Sequence, residues 1–452
     1  MTFQAHNTLS RRKEPLEPTI VPGKVGFYVC GPTVYDLIHI GNARPLVVFD
    51  VLFRLLRRTY GEENVTYVRN ITDVDDKINA AAAERGIAIR ELTETTARRF
   101  HEDAEALGCL APTHEPRATD HIPEMIAMIE ALIAAGHAYA ADGHVLFDVP
   151  SYEAYGRLSG NSRDEIVAGA RVDVAPYKKD AADFVLWKPS TGDLPGWDSP
   201  WGHGRPGWHL ECSAMSRRYL GDNFDIHGGG RDLIFPHHEN EIAQTCAAHD
   251  HAEFARIWMH NGYLTVNGEK MSKSLGNFFT VRELLDEFPG EALRLLLLGT
   301  HYRQALDFTK ERLAEAKQTL DRFYNALSKA REPQAGELPV EIVAALEDDL
   351  NTPLAISHMH ALADAVFRGE AGAAASLRAA GAIMGLLGAS GQDWFRGGAA
   401  DDEAAEIEGL IEERLAARKN RDFARADQIR DDLKARGIEL MDGPEGTAWR
   451  RV

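Results

Sequence analysis

The stretch Val25-Gly26-Phe27-Tyr28-Val29-Cys30-Gly31-Pro32-Thr33, followed at a short distance by His39-Ile40-Gly41-Asn42, decides the fold. Val25 to Cys30 is an apolar run that predicts a buried strand, and Gly31-Pro32-Thr33 turns the chain. From about Gly41 to Arg58, apolar residues recur at helical spacing (Leu46, Val47, Phe49, Val51, Leu52, Leu55, Leu56), with Pro45 tolerable only near the first turn. Asn64 to Thr72 predicts a second strand. Strand, helix and strand at this spacing imply a right-handed βαβ unit, hence an α/β fold with a parallel sheet.

Outward from this unit, an Ala- and Glu-rich helical stretch runs to about Gly108. Residues 115–200 have the character of an insertion. They hold a helix at about 121–136, a hairpin turning at Asp142-Gly143, and a Pro/Gly/Trp-rich passage around Trp187, Trp197 and Trp201. Ile226 to Ile234, with Gly228-Gly229-Gly230, returns to the glycine-rich character of a strand end. Residues 281–331 are predicted helical and charged. Val340 to Leu387 is Ala-rich and helical, which suggests a bundle. A Gly/Ala/Asp stretch near 396–402 marks a linker. The tail has two amphipathic helices, at about 403–419 and 422–436, and a short hairpin ending in Trp449-Arg450-Arg451.

At 452 residues the chain exceeds one core, so two to four domains are expected. Its 44% hydrophobic and 26% charged content is that of a soluble globular protein. The polar start Met1-Thr2-Phe3-Gln4-Ala5-His6 does not resemble a signal peptide, and no apolar run reaches membrane-spanning length. Four scattered cysteines (30, 109, 212, 246) do not suggest a disulfide framework, and a cytoplasmic location is expected. The net charge of −19 argues against indiscriminate nucleic-acid binding but permits a local basic face. Within 414–436 there are 8 Lys/Arg against 4 Asp/Glu, which a solvated helix face also explains.

Three groups of residues carry chemistry. Cys30, Cys212, His237 and Glu241 offer two thiolates, an imidazole and a carboxylate, with the His and Glu four apart on one helix face. That set suits a tetrahedral Zn²⁺, and a metal that binds thiolates can also recognise a thiol substrate. Two buried cysteines and a surface His–Glu pair would read the same from composition alone. His39-Ile40-Gly41-Asn42 sits at a helix start, where unpaired N–H groups and the positive dipole end suit phosphate. There His39 can donate to a phosphate oxygen, and Gly41 allows close approach of a nucleotide. Lys270-Met271-Ser272-Lys273-Ser274 is a cationic loop able to neutralise charge building on a pentacoordinate phosphorus, or else a basic surface turn. Both motifs in this order, about 230 residues apart, are far more specific than either alone.

With these motifs the chain resembles the class I aminoacyl-tRNA synthetases, and among them the cysteinyl-tRNA synthetase family. Arg69-Asn70-Ile71-Thr72-Asp73-Val74-Asp75-Asp76-Lys77, Gly204-Arg205-Pro206-Gly207-Trp208-His209, Phe235-Pro236-His237-His238-Glu239-Asn240-Glu241 and the tail from Arg421 through Trp449 also match its patterns. The resemblance implies one Zn²⁺ per chain on Cys30, Cys212, His237 and Glu241, with the substrate thiolate bound to it. It implies catalytic roles for His39, Lys270 and Lys273, and ATP contacts from His39, Gly41, Asn42 and Lys273, with Mg²⁺ accompanying ATP. Thr33, Thr72, Trp208 and His227 are expected at the amino acid, His227 near the adenylate, and each has an alternative role in packing or ligand support. His238 and Glu239 are equally readable as helix-surface residues. Cys109 and Cys246 match no ligand position and are read as plain buried cysteines. Trp449 is a candidate contact to tRNA, or else a core residue of its hairpin. Asn42 stands where the second histidine of the HIGH motif is usual, and an amide can still donate to ATP.

The implied architecture is a Rossmann-like catalytic domain in two halves (1–114 and 203–265) around a connective insertion (115–202). A segment carrying the KMSKS loop (266–315), a helical bundle (316–395) and a C-terminal anticodon domain (403–452) follow. The implied partners are L-cysteine, ATP and tRNA(Cys), the implied state a monomer, and no membrane is involved. Two rivals share the fold: a ligase joining cysteine to a small amine, as in mycothiol synthesis, and a non-catalytic zinc-dependent binding protein. The complete tail argues against the first, and intact His39, Lys270 and Lys273 against the second.

Overall fold

The computed structural model describes residues 2–162, 165–166, 175–192, 194–249, 252–271, 275–329, 336–396, 401–443 and 446–451. These form two compact units. One comprises residues 1–313 and 340–356, the other 314–339 and 357–452.

In the first unit the βαβ element is present. Strand β1 (Val25–Val29) leads through His39 into helix α1 (Ile40–Tyr60) and on to strand β2 (Val65–Arg69). Helix α1 buries Leu46, Val47, Phe49, Val51, Leu52, Leu55 and Leu56, the predicted apolar face, and Pro45 lies within its sixth position. Helix α2 (Trp208–Leu220) precedes strand β3 (Asn223–Gly230), and helix α3 (Glu239–Ala248) precedes strand β4 (Phe254–Asn261). The strands form an all-parallel sheet in the order β4-β3-β1-β2. The chain runs from β1 to β2 on one side and later fills β3 and β4 on the other. The order therefore reverses between β1 and β3, the place where open α/β sheets bind ligands at the carboxyl ends of their strands.

The long helix expected to reach Gly108 is two helices, Asp76–Arg85 and Ile89–Ala106, because Gly86 takes a left-handed φ of 64° and ends the first. The insertion contains the expected helix, here Ile122–Ala134, and the hairpin, with Asp142 and Gly143 both at positive φ. It contributes a four-stranded antiparallel sheet of Ala138–Ala141, His144–Phe147, Phe184–Pro189 and Gly204–Pro206. Its Val145, Phe147 and Trp187 share one apolar core with Tyr28, Phe224 and Trp258 of the parallel sheet, so the insertion is built onto the catalytic framework. After β4, a short strand β5 (Leu264–Val266) pairs antiparallel with β6 (Glu269–Lys270) and parallel with β7 (Leu306–Phe308). Strand β7 interrupts the stretch 281–331 that periodicity assigns to helix.

In the second unit, helices α4 (Asp401–Lys419) and α5 (Phe423–Ala435) pack with an antiparallel hairpin, β8 (Ile438–Gly443) and β9 (Gly446–Arg451). Trp449 is 5% exposed and lies in the core formed by Ile407, Ile411, Ile429, Leu433 and Ile438. Of the two roles expected for it, this burial favours the core residue of the hairpin, with Arg396 over its ring at 5.7 Å. Between α4 and β9 the described exposed aromatic is Phe423, 61% exposed at the start of α5. Among the described residues, no helix is long and apolar enough to cross a membrane.

Candidate active site and metal centre

Cys30 immediately follows β1, Cys212 lies in α2, His237 lies in the turn leading into α3 and Glu241 in its first turn, so three separate pieces of chain converge at the switch point. One ligand atom from each lies within 4.8 Å of the others. The sulfurs of Cys30 and Cys212 are 3.7 Å apart. Two thiolates on one tetrahedral Zn²⁺, each about 2.3 Å from the metal, stand about 3.8 Å from one another. His237 Nε2 is 3.0 Å from Glu241 Oε1, yet it makes no aligned hydrogen bond and is a buried orphan. The donor set and the orphaned nitrogen both fit a metal ion.

The electrostatics agree. Burial pushes the Cys30 thiol well up, reinforced by Cys212. Burial opposes ionisation of Cys212 too, but the contacts with Cys30 and His237 bring it down to about 6. Burial disfavours the charged form of His237, and Glu241 overcomes this to raise it to about 10. Glu241 is held well below the carboxylate range, against its burial, by His227 and His237. Glu241 and Cys212 thus favour their ionised forms beside a protonated His237 in one buried site.

Partners that the motifs alone did not single out orient the ligands. His209 Nδ1 lies 2.8 Å from His237 Nδ1. Burial and His237 lower the His209 pKa to about 3, so a neutral His209 accepts and His237 Nε2 is left facing the cluster. His227, expected at the amino acid or in a supporting role, is fully buried, stacked on Trp258, with Nε2 2.8 Å from Glu241 Oε2. It therefore fixes the carboxylate oxygen that faces away from His237. His238 and Glu239 are buried rather than on the helix surface. His238 approaches Cys30 Sγ at 3.3 Å and His260 at 2.8 Å, and Glu239 accepts from Ser159 N of the insertion at 2.8 Å. A second four-donor group, Cys30, His227, His238 and Glu241, shares two of the same residues. It offers one sulfur instead of two and suits Zn²⁺ less well. Cys109 and Cys246 join neither group and are only partly buried, a correction to their assignment as buried.

The remaining expected residues surround this centre unequally. Thr33 and Thr72 bridge each other after β1 and β2. Thr72 is 1% exposed, and its hydroxyl donates to Glu211 Oε2 while receiving a bond from Asn70 Nδ2. Its hydroxyl is thus committed inside the wall. Trp208 is 39% exposed and stacks on His237 with ring centroids 4.2 Å apart. Of the described aromatics expected at the amino acid, it is the one that presents a face beside the metal ligands.

At the nucleotide motif, His39 is the N-cap of α1. Its Nδ1 accepts from Gly41 N (3.1 Å) and Asn42 N (3.3 Å), and Asn42 Oδ1 accepts from His39 N (3.3 Å). The pair is a capping box. His39 Nε2 therefore carries the proton and is the ring's outward donor, and the Asn42 amide does the work of a capping acceptor. A side chain at Gly41 would meet the His39 ring at 2.9 Å, so this glycine makes room for the cap itself. Lys270 is exposed at the end of β6. Lys273 lies outside the described residues.

Comparison with known proteins follows the same line. Residues 16–318 match the model for the tRNA synthetases class I (C) catalytic domain, residues 341–389 the DALR domain, and residues 400–450 the cysteinyl-tRNA ligase anticodon binding domain. The cysteine–tRNA ligase of Rhodospirillum rubrum is 61% identical over 462 residues, covering 100% of both chains. That of Acidiphilium cryptum is 62% identical over 451 residues, covering 100% of this chain and 99% of its own. The chain belongs to the cysteine–tRNA ligase family. Its catalytic domain is that of a class I ligase. The fold is also seen in Mycobacterium tuberculosis methionyl-tRNA synthetase in complex with methionyl-adenylate, with 18% identity, a TM-score of 0.52, and coverage of 89% of this chain and 87% of that one.

Proposed function

We propose that the chain activates L-cysteine with ATP and transfers it to the 3′ end of tRNA(Cys). The observation that carries this reading is the convergence of two thiols, an imidazole and a carboxylate at the switch point of the sheet. Serine differs from cysteine by oxygen for sulfur, and a shaped cavity alone separates the two poorly. Zn²⁺ held by Cys30, Cys212, His237 and Glu241 would supply a soft acceptor for the substrate sulfur, which serine cannot match. The exposed face of Trp208 would cover the bound side chain.

In the first step the cysteine carboxylate oxygen attacks the α-phosphorus of ATP, and pyrophosphate leaves with the electron pair of the broken P–O bond. His39 would donate its Nε2 proton to phosphate oxygen, and the Asn42 Nδ2 hydrogens, left free by the capping role of Oδ1, would do the same. Lys270 and Lys273 would neutralise the charge that develops on the leaving pyrophosphate. In the second step a terminal ribose hydroxyl attacks the activated carbonyl, and AMP leaves. No side-chain nucleophile is needed, because positioning and charge stabilisation lower the barrier. The match of residues 400–450 to an anticodon-binding domain favours a tRNA acceptor over a small amine.

The test is exchange of labelled pyrophosphate into ATP, followed by aminoacylation of tRNA(Cys). Exchange should depend on cysteine and not on serine. A protein lacking residues 401–452 should retain exchange and lose most tRNA charging. Equal charging by the truncated and full chains would favour the small-amine ligase instead.

A further inference from the structure

Resting on that reading of the reaction, we propose that Arg44 is a positioning residue, tying the nucleotide-binding helix to the root of the hairpin that leads to Lys270. Arg44 lies two residues beyond Asn42 on α1 and is 1% exposed. Among the described residues its guanidinium is served by carbonyls rather than by a carboxylate. Nη1 donates to Gly262 O (2.9 Å) and Tyr263 O (3.2 Å), Nη2 donates to His301 O (3.0 Å), and Nε is buried without a partner. Desolvation lowers its pKa to about 10. A buried cation served only by carbonyls, near the positive end of a helix, is an expensive choice for filling space. An apolar side chain of similar length would fill the volume at lower cost.

The geometry explains the choice. Gly262 and Tyr263 are the two residues between β4, which ends at Asn261, and β5, which begins the hairpin to Lys270. His301 opens the turn that feeds β7, the parallel partner of β5. One planar fork therefore holds three carbonyls from both chains that enter the small sheet. The joint is tight. Gly262 N donates to Tyr302 O at 2.7 Å, and a side chain at Gly262 would meet Gln304 O at 2.4 Å. Asp349 secures the far side, accepting from Tyr302 Oη (2.7 Å), Arg303 Nε (2.8 Å) and His6 N (2.8 Å). The other flank of the lysine segment is tied to the same helix start by its backbone. Ile40 N donates to Phe279 O (3.1 Å) and Val281 N donates to Ile38 O (2.9 Å). Both described stretches that flank residues 272–274 are thus referenced to the N-terminus of α1. Lys270 and the capped His39 therefore keep a fixed spacing, and Arg44 sets one of the two ties.

The experiment is steady-state pyrophosphate exchange with Arg44→Lys and Arg44→Gln in the full chain, normalised to folded protein. Misplacing reacting groups by about 1 Å costs on the order of 100-fold. The expected result is a kcat lower by about 10-fold for Arg44→Lys and about 100-fold for Arg44→Gln, with the KM for cysteine unchanged. Gly262→Ala, which opens the same joint from the strand side, should give the same split. Should Arg44→Gln fail to fold, the Lys and Ala variants carry the test. Unaltered kcat per folded molecule in the variants, with only a lower melting temperature, would overturn the proposal. Calorimetric titration with Mg²⁺·ATP alone separates this inference from the functional reading. If the unaltered chain shows no cysteine-dependent exchange, the functional reading falls. ATP affinity about 10-fold weaker in Arg44→Gln would still support the positioning role, and equal affinity would refute it.

Discussion

The cysteine–histidine–glutamate cluster and the C-terminal hairpin domain bury side chains for opposite reasons. At the cluster, residues drawn from positions 30 to 260 bring sulfur, imidazole and carboxylate into the interior, where each would be unfavourable alone. In the tail, residues within 407–449 bury isoleucines, a leucine and a tryptophan, and of the charges there only Arg414, paired with Asp442, is buried among the described residues. Burial of polar groups in the first region marks chemistry, and burial of an aromatic in the second marks stability. Substitutions should therefore fail differently: loss of function with the fold retained in one region, loss of local fold in the other.

The largest effect is expected at Cys212. Cys212→Ser should lose bound zinc and lower cysteine-dependent exchange by roughly three orders of magnitude or more, the scale of losing an interaction aimed at the reacting substrate. Metal content by mass spectrometry and exchange kinetics should fall together. Normal zinc content in this variant would remove Cys212 from the site and favour the alternative group of Cys30, His227, His238 and Glu241.

Next comes Trp449. Truncating a buried tryptophan to alanine costs about 3–5 kcal/mol, enough to unfold so small a domain locally. Trp449→Ala should expose the backbone of 438–451 to hydrogen exchange while leaving pyrophosphate exchange unchanged. Faster tRNA dissociation with full protection of the hairpin would return Trp449 to the role of a base contact.

Phe423 completes that contrast. It is 61% exposed, follows Arg421 and the N-cap Asp422, and has Arg418, Lys419 and Arg425 nearby in sequence. An exposed ring among cations is a stacking platform for a base, worth about 1–3 kcal/mol. Phe423→Ala should raise the KM for tRNA about 5- to 100-fold by that measure, with no change in melting temperature or in pyrophosphate exchange. A tRNA KM within twofold of the unaltered chain would leave the ring without that role.

These two aromatics show what was legible in the sequence. The βαβ unit could be read because apolar spacing on α1 and flanking strands are local properties. The convergence of Cys30, Cys212, His237 and Glu241 could be read because the residues around them form strings long enough to identify. The side on which Trp449 falls was not legible, since a tryptophan on a two-stranded hairpin alternates faces with the register, here Leu440 opposite Trp449. The strand Leu306–Phe308 was missed because its partner Leu264–Val266 is more than forty residues away and its flanks are charged and helical. Arg44, His209 and His260 carried no spacing signal. Each takes its meaning from a carbonyl or an imidazole contributed by a distant segment.

The smallest effect concerns Asp442, where surface electrostatics stabilise the tail. Its carboxylate accepts from both terminal nitrogens of Arg414 (2.8 and 2.9 Å), from Arg418 (3.0 Å) and from Thr447 (2.7 Å). The Arg414 and Thr447 bonds hold its pKa below the usual carboxylate range. A folded pKa below the unfolded one means a contribution present above the unfolded value, about 3.9, and lost as pH falls toward the folded value. Asp442 is 46% exposed, so screening limits the contribution to about 0.5–1 kcal/mol. At pH 7, Asp442→Asn should therefore open β8 and β9 to hydrogen exchange about 2- to 5-fold more readily than in the unaltered chain. The gap should narrow as pH drops below about 4, because the carboxylate of the opened hairpin then takes up a proton, which favours opening of the unaltered chain. A gap of constant size from pH 7 to pH 3 would mean that packing of the side chain, rather than its charge, ties β8 to α4.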